Sequence, residues 1–355
     1  EVVDDGDDYF NLSDYILFFG ESPHIWDYDG SKFRYTKNIY TDTTYYFLSF
    51  DLDVLGKRIQ SDPHNYIFDE PDNSPTTSFD TYFIHEEDNI NLANTGRDWF
   101  GESFAFDFSQ NFDTPIESWI EDTIVFTGHL AARSSVGTTF EINNGSNIIA
   151  SVYIPQISPS SADYYKSTLL ETEFINSNNS DISFIYNNNG NSSALGWLDY
   201  FTLQGRSNSL SIGSTSHYLF RDTKSVSDGA LTTFNLSLSS DNNGFNVFNV
   251  TDPLNVTKQS VALTNLHGVF KTNTSSLKEF LVVATDQAFV PDPIGLIPNQ
   301  NIHGANQPSY VIVTHPKFIN AANRLANYHM SINNENVLLV TTEQVYNEFS
   351  TGSQD

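Results

Sequence analysis

The sequence predicts a mainly β protein: antiparallel β-sandwich, jelly-roll-like regions, followed by the first βαβ unit of a truncated α/β domain. Three observations predict it. Short runs rich in aromatic and β-branched residues recur along most of the chain, separated by clusters of Asn, Asp and Gly. Lys is scarce while Asn, Ser, Thr, Tyr and Phe are plentiful, a composition that suits exposed, loop-rich β structure. After a Pro-rich stretch at residues 290–308, the pattern changes to strand, helix, strand.

Taken in order, the first residues, "EVVDDGDD", carry no initiator Met, basic region or apolar segment. They read as a processed or interior start and a solvated acidic arm. Strands are expected at "TTYYFLSFDLDV" (43–54), "SFAFDF" (103–108), "TTFEI" (138–142), "NIIASVYI" (147–154), "DISFIY" (181–186) and "EFLVVATD" (279–286). In the second of these, Phe104, Phe106 and Phe108 alternate with small or polar residues, which predicts one buried face. Turns fall at "NNGSN" (143–147), "NNNGNSS" (187–193) and "DNNG" (241–244), where Asn, Asp and Gly tolerate left-handed backbone. "DTPIES" (113–118) marks a hinge. The expected division is therefore 1–115, an N-terminal β-rich region; 116–300, a β-sandwich region with the Pro-rich linker at its end; and 301–355, the start of an α/β domain.

That last segment has its own grammar. "YVIVT" (310–314) is an apolar run of the kind buried in parallel sheets. Pro316 suits a first helical turn, and Phe318, Ala322, Leu325 and His329, widened by Ile319 and Ala326, form one helical stripe. "NVLLV" supplies a second strand, and Thr341 with Gln344 forms a capping-box pattern for the next helix. Two strands and a helix and a half cannot bury their own apolar faces, so the chain is expected to be a fragment cut inside its third domain.

Composition excludes several functions. The 16 basic and 44 acidic residues leave a net charge of −28, a field that repels phosphate backbones and anionic headgroups. Nucleic-acid binding is thereby disfavoured. There is no cysteine, so these residues hold no disulfide, no thiolate metal ligand and no thiol nucleophile. No apolar run reaches the roughly 18 residues of a membrane helix.

Motifs that carry chemistry are few. "GESFA" (101–105) is one residue short of a nucleophile elbow, but an alternating strand follows Ser103 where a helix is required. "HEEDN" (85–89) has Asn in place of the second zinc-binding His and reads as a solvated acidic turn. "DYDGS" (27–31) pairs carboxylates before Gly but lacks the acidic twelfth position of a calcium loop, so it reads as a turn. His315 follows a parallel-type strand, where α/β sites gather, and its ordinary role there is capping or packing. Trp197, Tyr200 and Phe201 in "GWLDYF" could line a sugar-binding face, although such residues in a sandwich strand are usually core. No phosphate loop, dinucleotide fingerprint or cofactor motif is present.

Longer stretches carry a resemblance. "HGANQPSYVIVTHPKFINAANRLANYH", followed by "VLLVTTEQVYNEFSTGSQD", resembles the opening of a gingipain-like cysteine peptidase domain. "SDYILFFGESPHIWDYDG", "KNIYTDTTYYFLSF", "GRDWFGESFAF", "LGWLDYFTLQGRSNSL" and "VFNVTDPLNVTK" are similar to the N-terminal region of that family's type IX secretion sortases. The resemblance implies a place on the outer face of the outer membrane of a Gram-negative Bacteroidota bacterium. Membrane association would be indirect, through a β-barrel partner, PorV. It implies removal of C-terminal sorting domains from secreted cargo and attachment of the cargo to anionic lipopolysaccharide, by way of a thioester acyl-enzyme. The family's catalytic His and Cys fall beyond Asp355, so no catalytic residue is expected in this chain, and no metal or cofactor; His303 and His315 lie in the strand-entry motif and not in the dyad. The chain alone is expected to be inactive, with a supporting or partner-binding role. A non-catalytic surface binding module, adhesin-like or glycan-binding, is the alternative that the Asn-rich loops and "GWLDYF" leave open.

Overall fold

The computed structural model describes residues 2–3, 11–12, 14–49, 56–62, 75–94, 98–120, 122–177, 179–208, 217–237, 245–264, 267–284 and 288–354. The chain divides into two compact units, one of Ile59–Ala288 and one built from both ends, Glu1–Arg58 with Phe289–Asp355.

In the discontinuous unit, β1 (Val2–Val3) pairs with β2 (Tyr15–Ile16), and β3 (Ile25–Tyr28) with β4 (Phe33–Thr36), both antiparallel. The larger unit contains β5 (Gln60–Ser61), β6 (Phe79–Glu86), β7 (Ser109–Asp113), β8 (Thr123–Arg133), β9 (Thr138–Asn144), β10 (Asn147–Ile154), β11 (Lys166–Ile175) and β12 (Asp181–Asn187). It continues with β13 (Leu195–Ser207), β14 (His217–Arg221), β15 (Leu231–Ser237), β16 (Phe245–Asn249), β17 (Thr257–Lys258), β18 (Ala262–Thr264), β19 (His267–Asn273) and β20 (Glu279–Ala284).

One nine-stranded sheet, ordered β11-β8-β13-β6-β14-β20-β16-β17-β5, organises this unit. Its first half packs on the four-stranded sheet β10-β9-β12-β7 around a core that includes Phe126, Leu130, Phe140, Phe184 and Phe201. Its second half packs on β15-β19-β18 around Phe220, Phe234, Phe270 and Phe280. Two sandwiches therefore share one sheet. The period-2 alternation that predicts strands is what fills them: Ile124, Phe126, Leu130 and Ala132 of β8, and Ile182, Phe184 and Tyr186 of β12, all point into the first core.

The expected strands at 138–142, 147–154 and 181–186 lie within β9, β10 and β12, and β20 covers 279–284 of the sixth. Residues 285–286 of that run, the turn at 241–244 and residues 50–54 lie outside the described residues. Two expectations are corrected. Residues 43–49 form no strand; their segment is held by side-chain bonds such as Thr44 Oγ1 to the Glu21 carbonyl. Residues 103–108 are not a strand with one buried face either: Phe104 is 0 % exposed but Phe106 is 99 % exposed. Phe104 fits the first core because residues 101–104 lie alongside the start of β13, with Phe104 N–H bonded to the Gly196 carbonyl, and the alternation ends after it.

The remaining elements return to the discontinuous unit. Residues 288–300 have no regular structure and are largely exposed. Then β21 (Tyr310–Thr314), α1 (Ile319–Asn333), β22 (Val337–Thr341) and α2 (Thr342–Phe349) give the expected βαβ order, with β21 and β22 parallel. The buried line on α1 is Ala322 and Ala326, while Phe318 and Leu325 of the expected stripe are exposed. Small residues bring the helix close to its two strands, and the wider apolar margin is left uncovered.

Candidate functional site

Parallel strands end together at Thr314 and Thr341, the edge where α/β proteins gather their sites. Both strand ends here are committed to helix starts. His315 Nδ1 accepts the Lys317 N–H at 3.2 Å and caps a 3-10 turn at Pro316–Phe318. Thr341 Oγ1 accepts the Gln344 N–H at 3.2 Å, and Gln344 Oε1 accepts the Thr341 N–H at 2.9 Å, a reciprocal capping box. His315 is thus a cap.

His303 is held elsewhere on the same unit. Glu348 Oε1 accepts its backbone N–H at 2.6 Å and lies 2.8 Å from its Nδ1, while the ring lies 4.4 Å from that of Phe349. Gln300 Nε2 donates to Glu348 and to the Gln344 carbonyl. Desolvation pushes the Glu348 carboxyl up, but the backbone N–H groups of Ile302 and His303 and the side chains of Gln300 and His303 outweigh it. Its pKa falls from 4.5 to about 2. The chain entering the βαβ unit is therefore clamped to α2.

Two histidine–carboxylate pairs among the described residues of the sandwich were announced by no motif. Strand β13 bulges between Leu198 and Tyr200, so Asp199 is the extra residue opposite His129, and its Oδ2 lies 2.6 Å from His129 Nδ1. The bulge also changes which residues face inward: Leu198 before it and Phe201 and Leu203 after it all enter the same core. Nearby, Tyr165 donates to Asp98 at 2.8 Å, and burial, that bond and the charges of Asp98 and Asp199 push its phenol up to about 12. The second pair joins two motifs set aside in the sequence: His85 Nε2 lies 2.8 Å from Glu102 Oε1. Thus "HEEDN" does not start as a solvated turn, because His85 and Glu86 belong to β6 and only Glu87 to Asn89 are exposed. Ser103 in "GESFA" bridges to Trp197 as extended chain, with no elbow. Gly101 is required by packing, since a Cβ there would stand 2.9 Å from that of Glu87. Among the described residues neither imidazole bonds a hydroxyl, and both pairs bind elements together.

Other candidates resolve similarly. Asp29 of "DYDGS" accepts from Ser31 N–H and Oγ, Lys32 N–H and Arg34 Nε, with Gly30 at φ +96°. These bonds, led by the Ser31 hydroxyl, hold its carboxyl well below the usual range, and the residue is the hinge of the β3–β4 hairpin. Trp197 is 4 % exposed and Phe201 0 %, so both are core and present no sugar-binding face. Sequence reasoning missed Arg206, which donates to both Asp80 and Asp222 at 2.8 Å; Arg206 and Asp222 are buried and Asp80 is partly so. Its bond to Asp80 joins residues 126 positions apart, and its bond to Asp222 residues 16 apart, both beyond the reach of a local motif.

Residues 303–355 match the family model of peptidase family C25. No curated protein matches the chain in sequence. Among solved structures, dimeric latent PorU from Porphyromonas gingivalis superposes with a TM-score of 0.74 at 20 % identity, over 95 % of this chain and 32 % of that one. The chain thus spans about a third of that protein's length and has its fold over nearly all of its own. The infectious bursal disease virus VP2 subviral particle, at 9 % identity, covers 63 % of this chain and 47 % of that one with a TM-score of 0.18. The Gt strain of the same virus, at 10 % identity and 67 % and 49 % coverage, also gives 0.18. Both scores are too low to bear on the fold.

Proposed function

We propose that the chain is the N-terminal portion of a cell-surface sortase of type IX secretion, a relative of PorU. The parent enzyme would cleave C-terminal sorting domains from secreted cargo and join the new carboxyl end to anionic lipopolysaccharide. The observation that carries this reading is the coincidence of two likenesses: a C25-type βαβ unit at residues 303–355, and a shared fold with PorU over 95 % of the chain. In the parent, a thiolate activated by a His attacks the carbonyl at the junction, and the sorting domain leaves with the new amino end. The acyl-enzyme is then resolved by water or by a glycolipid amine. These 355 residues contain no cysteine, so the nucleophile is supplied by other residues of the parent. The role left to this chain is to support the catalytic domain and to engage partners, an outer-membrane β-barrel such as PorV or the cargo, on the outer surface of the cell.

The test is cleavage of a cargo protein spanning a sorting-domain junction by the full gene product. Release of the sorting domain, abolished by a thiol reagent, is expected. The chain of residues 1–355 alone should give none. Cargo cleavage that persists in a parent stripped of cysteine would overturn the reading.

A further inference from the structure

The nine-stranded sheet is not paired evenly across its width. Eight consecutive pairs join β13 to β6, from Tyr200 and Glu86 to Ser207 and Phe79, and five join β14 to β20. Between β6 and β14, where the first sandwich meets the second, Arg221 opposite Asp80 is the one pair among the described residues. The cores divide at the same place. Phe83 packs against the first and Phe79 belongs to the second, four residues apart on the same face of β6. Strand β6 thus runs through both sandwiches. Just before it, the Thr76 N–H donates to the Thr233 carbonyl at 2.9 Å, and the Thr76 carbonyl accepts the Asn235 N–H at 3.0 Å, which anchors this end to β15.

Where backbone pairing is thin, charge takes over. Arg206, near the end of β13, sends its guanidinium across the seam. Its Nη1 donates to Asp80 Oδ1 at 2.8 Å, and its Nη2 donates to Asp222 Oδ1 at 2.8 Å and to the carbonyl and hydroxyl of Ser78. Asp80 Oδ2 accepts the Thr223 N–H at 2.6 Å, and Asp80 Oδ1 accepts the Thr223 hydroxyl at 3.1 Å. Asp222 caps the 3-10 turn that follows β14, so the network ties β13 and β6 to the second sandwich. On the surface, Lys224 Nζ adds a tie to Asp122 Oδ2 at 2.9 Å. The side chains of Arg206 and Asp222 are only 7 % and 1 % exposed. Charges buried this deeply add little net stability over an apolar contact of the same volume. What they impose is one arrangement, because any other leaves a buried charge without its partner.

We propose that the seam between β6 and β14 is a hinge and that Arg206 is its latch. The two sandwiches are separate packing bodies that turn about β6 near Asp80, and the Arg206 network holds them at the single angle that makes one sheet of nine strands. The hinge is independent of the sortase reading, and either can fail without the other.

Native-state hydrogen exchange of the 355-residue protein in low urea tests the hinge. Opening a seam exposes little area, so the Thr223 amide should exchange through an opening with a small urea slope, and amides of β12 and β19 through openings with larger ones. A common slope for all three would overturn the hinge. Distances test the latch. The sequence has no cysteine, so Ser151→Cys on β10 and Ser276→Cys between β19 and β20, both exposed, place one spin label on each sandwich. Pulsed electron resonance should give one narrow distance. Arg206→Lys keeps the charge but loses the fork that reaches two carboxylates. It should broaden that distribution or add a second distance, and speed Thr223 exchange about tenfold or more, while β12 and β19 keep their protection. An unchanged distribution in Arg206→Lys would overturn the latch. Loss of protection in β12 and β19 together would overturn the division into two bodies.

Discussion

Glu348 has its strongest consequence in acid. Its folded pKa of about 2 lies below the ordinary 4.5, so the clamp on residues 300–303 contributes stability fully above pH 4.5 and loses it as pH falls toward 2. Melting curves of the wild type and Glu348→Gln should therefore differ most above pH 4.5 and converge near pH 2. A difference that is constant across this range would contradict the clamp. The residue was invisible in the sequence as a partner of His303, since 45 positions separate them. The capping box at Thr341 and Gln344 was legible because its geometry is local. The same contrast explains why Asp29 could be read as a turn residue, while the partners of His85 and His129 could not be read at all. Local hydrogen bonding leaves a signature within a few residues; a bond across a sheet does not.

At the scale of elements, β13 is the spine of the first sandwich, paired with β8 on one side and β6 on the other. Gly196 near its start allows the facing sheet to approach: a Cβ there would lie 2.8 Å from the Phe140 ring and 3.0 Å from that of Tyr186. Gly196→Ala should cost about 1–3 kcal/mol by overpacking, read as a lower midpoint in urea with an unchanged slope. An unaltered midpoint would mean that the two rings yield freely. Alternation identified the strands whose residues face one core throughout, such as β12. It failed at Phe104 to Phe108, where the backbone leaves the ladder, and "GWLDYF" gave no sign of its bulge because the extra residue is visible only against β8. The βαβ order was legible from period and caps, but the stripe on α1 was read too wide, since what a helix buries depends on what lies over it.

For the whole molecule, charge is the dominant collective property. A net charge of −28 repels itself in the compact state. The Debye length shortens from ~30 Å at 0.01 M salt to ~10 Å at 0.1 M, so the melting temperature should rise across that interval. A fall would show that attractive surface pairs outweigh the net repulsion. Fold class was legible at this scale, because composition and turn spacing are properties of the whole chain. The sharing of one sheet by two sandwiches was not, since strand order depends on pairings between distant residues. That order has a consequence in time. Strand β6 occupies an interior position, yet its neighbours β13 and β14 follow it in the chain, the nearer beginning at Leu195. At synthesis rates of roughly 5–20 residues per second, β6 waits about 5–20 s for a partner. During that interval both of its edges are open, and the middle of the finished sheet is the part of the nascent chain most exposed to a wrong partner.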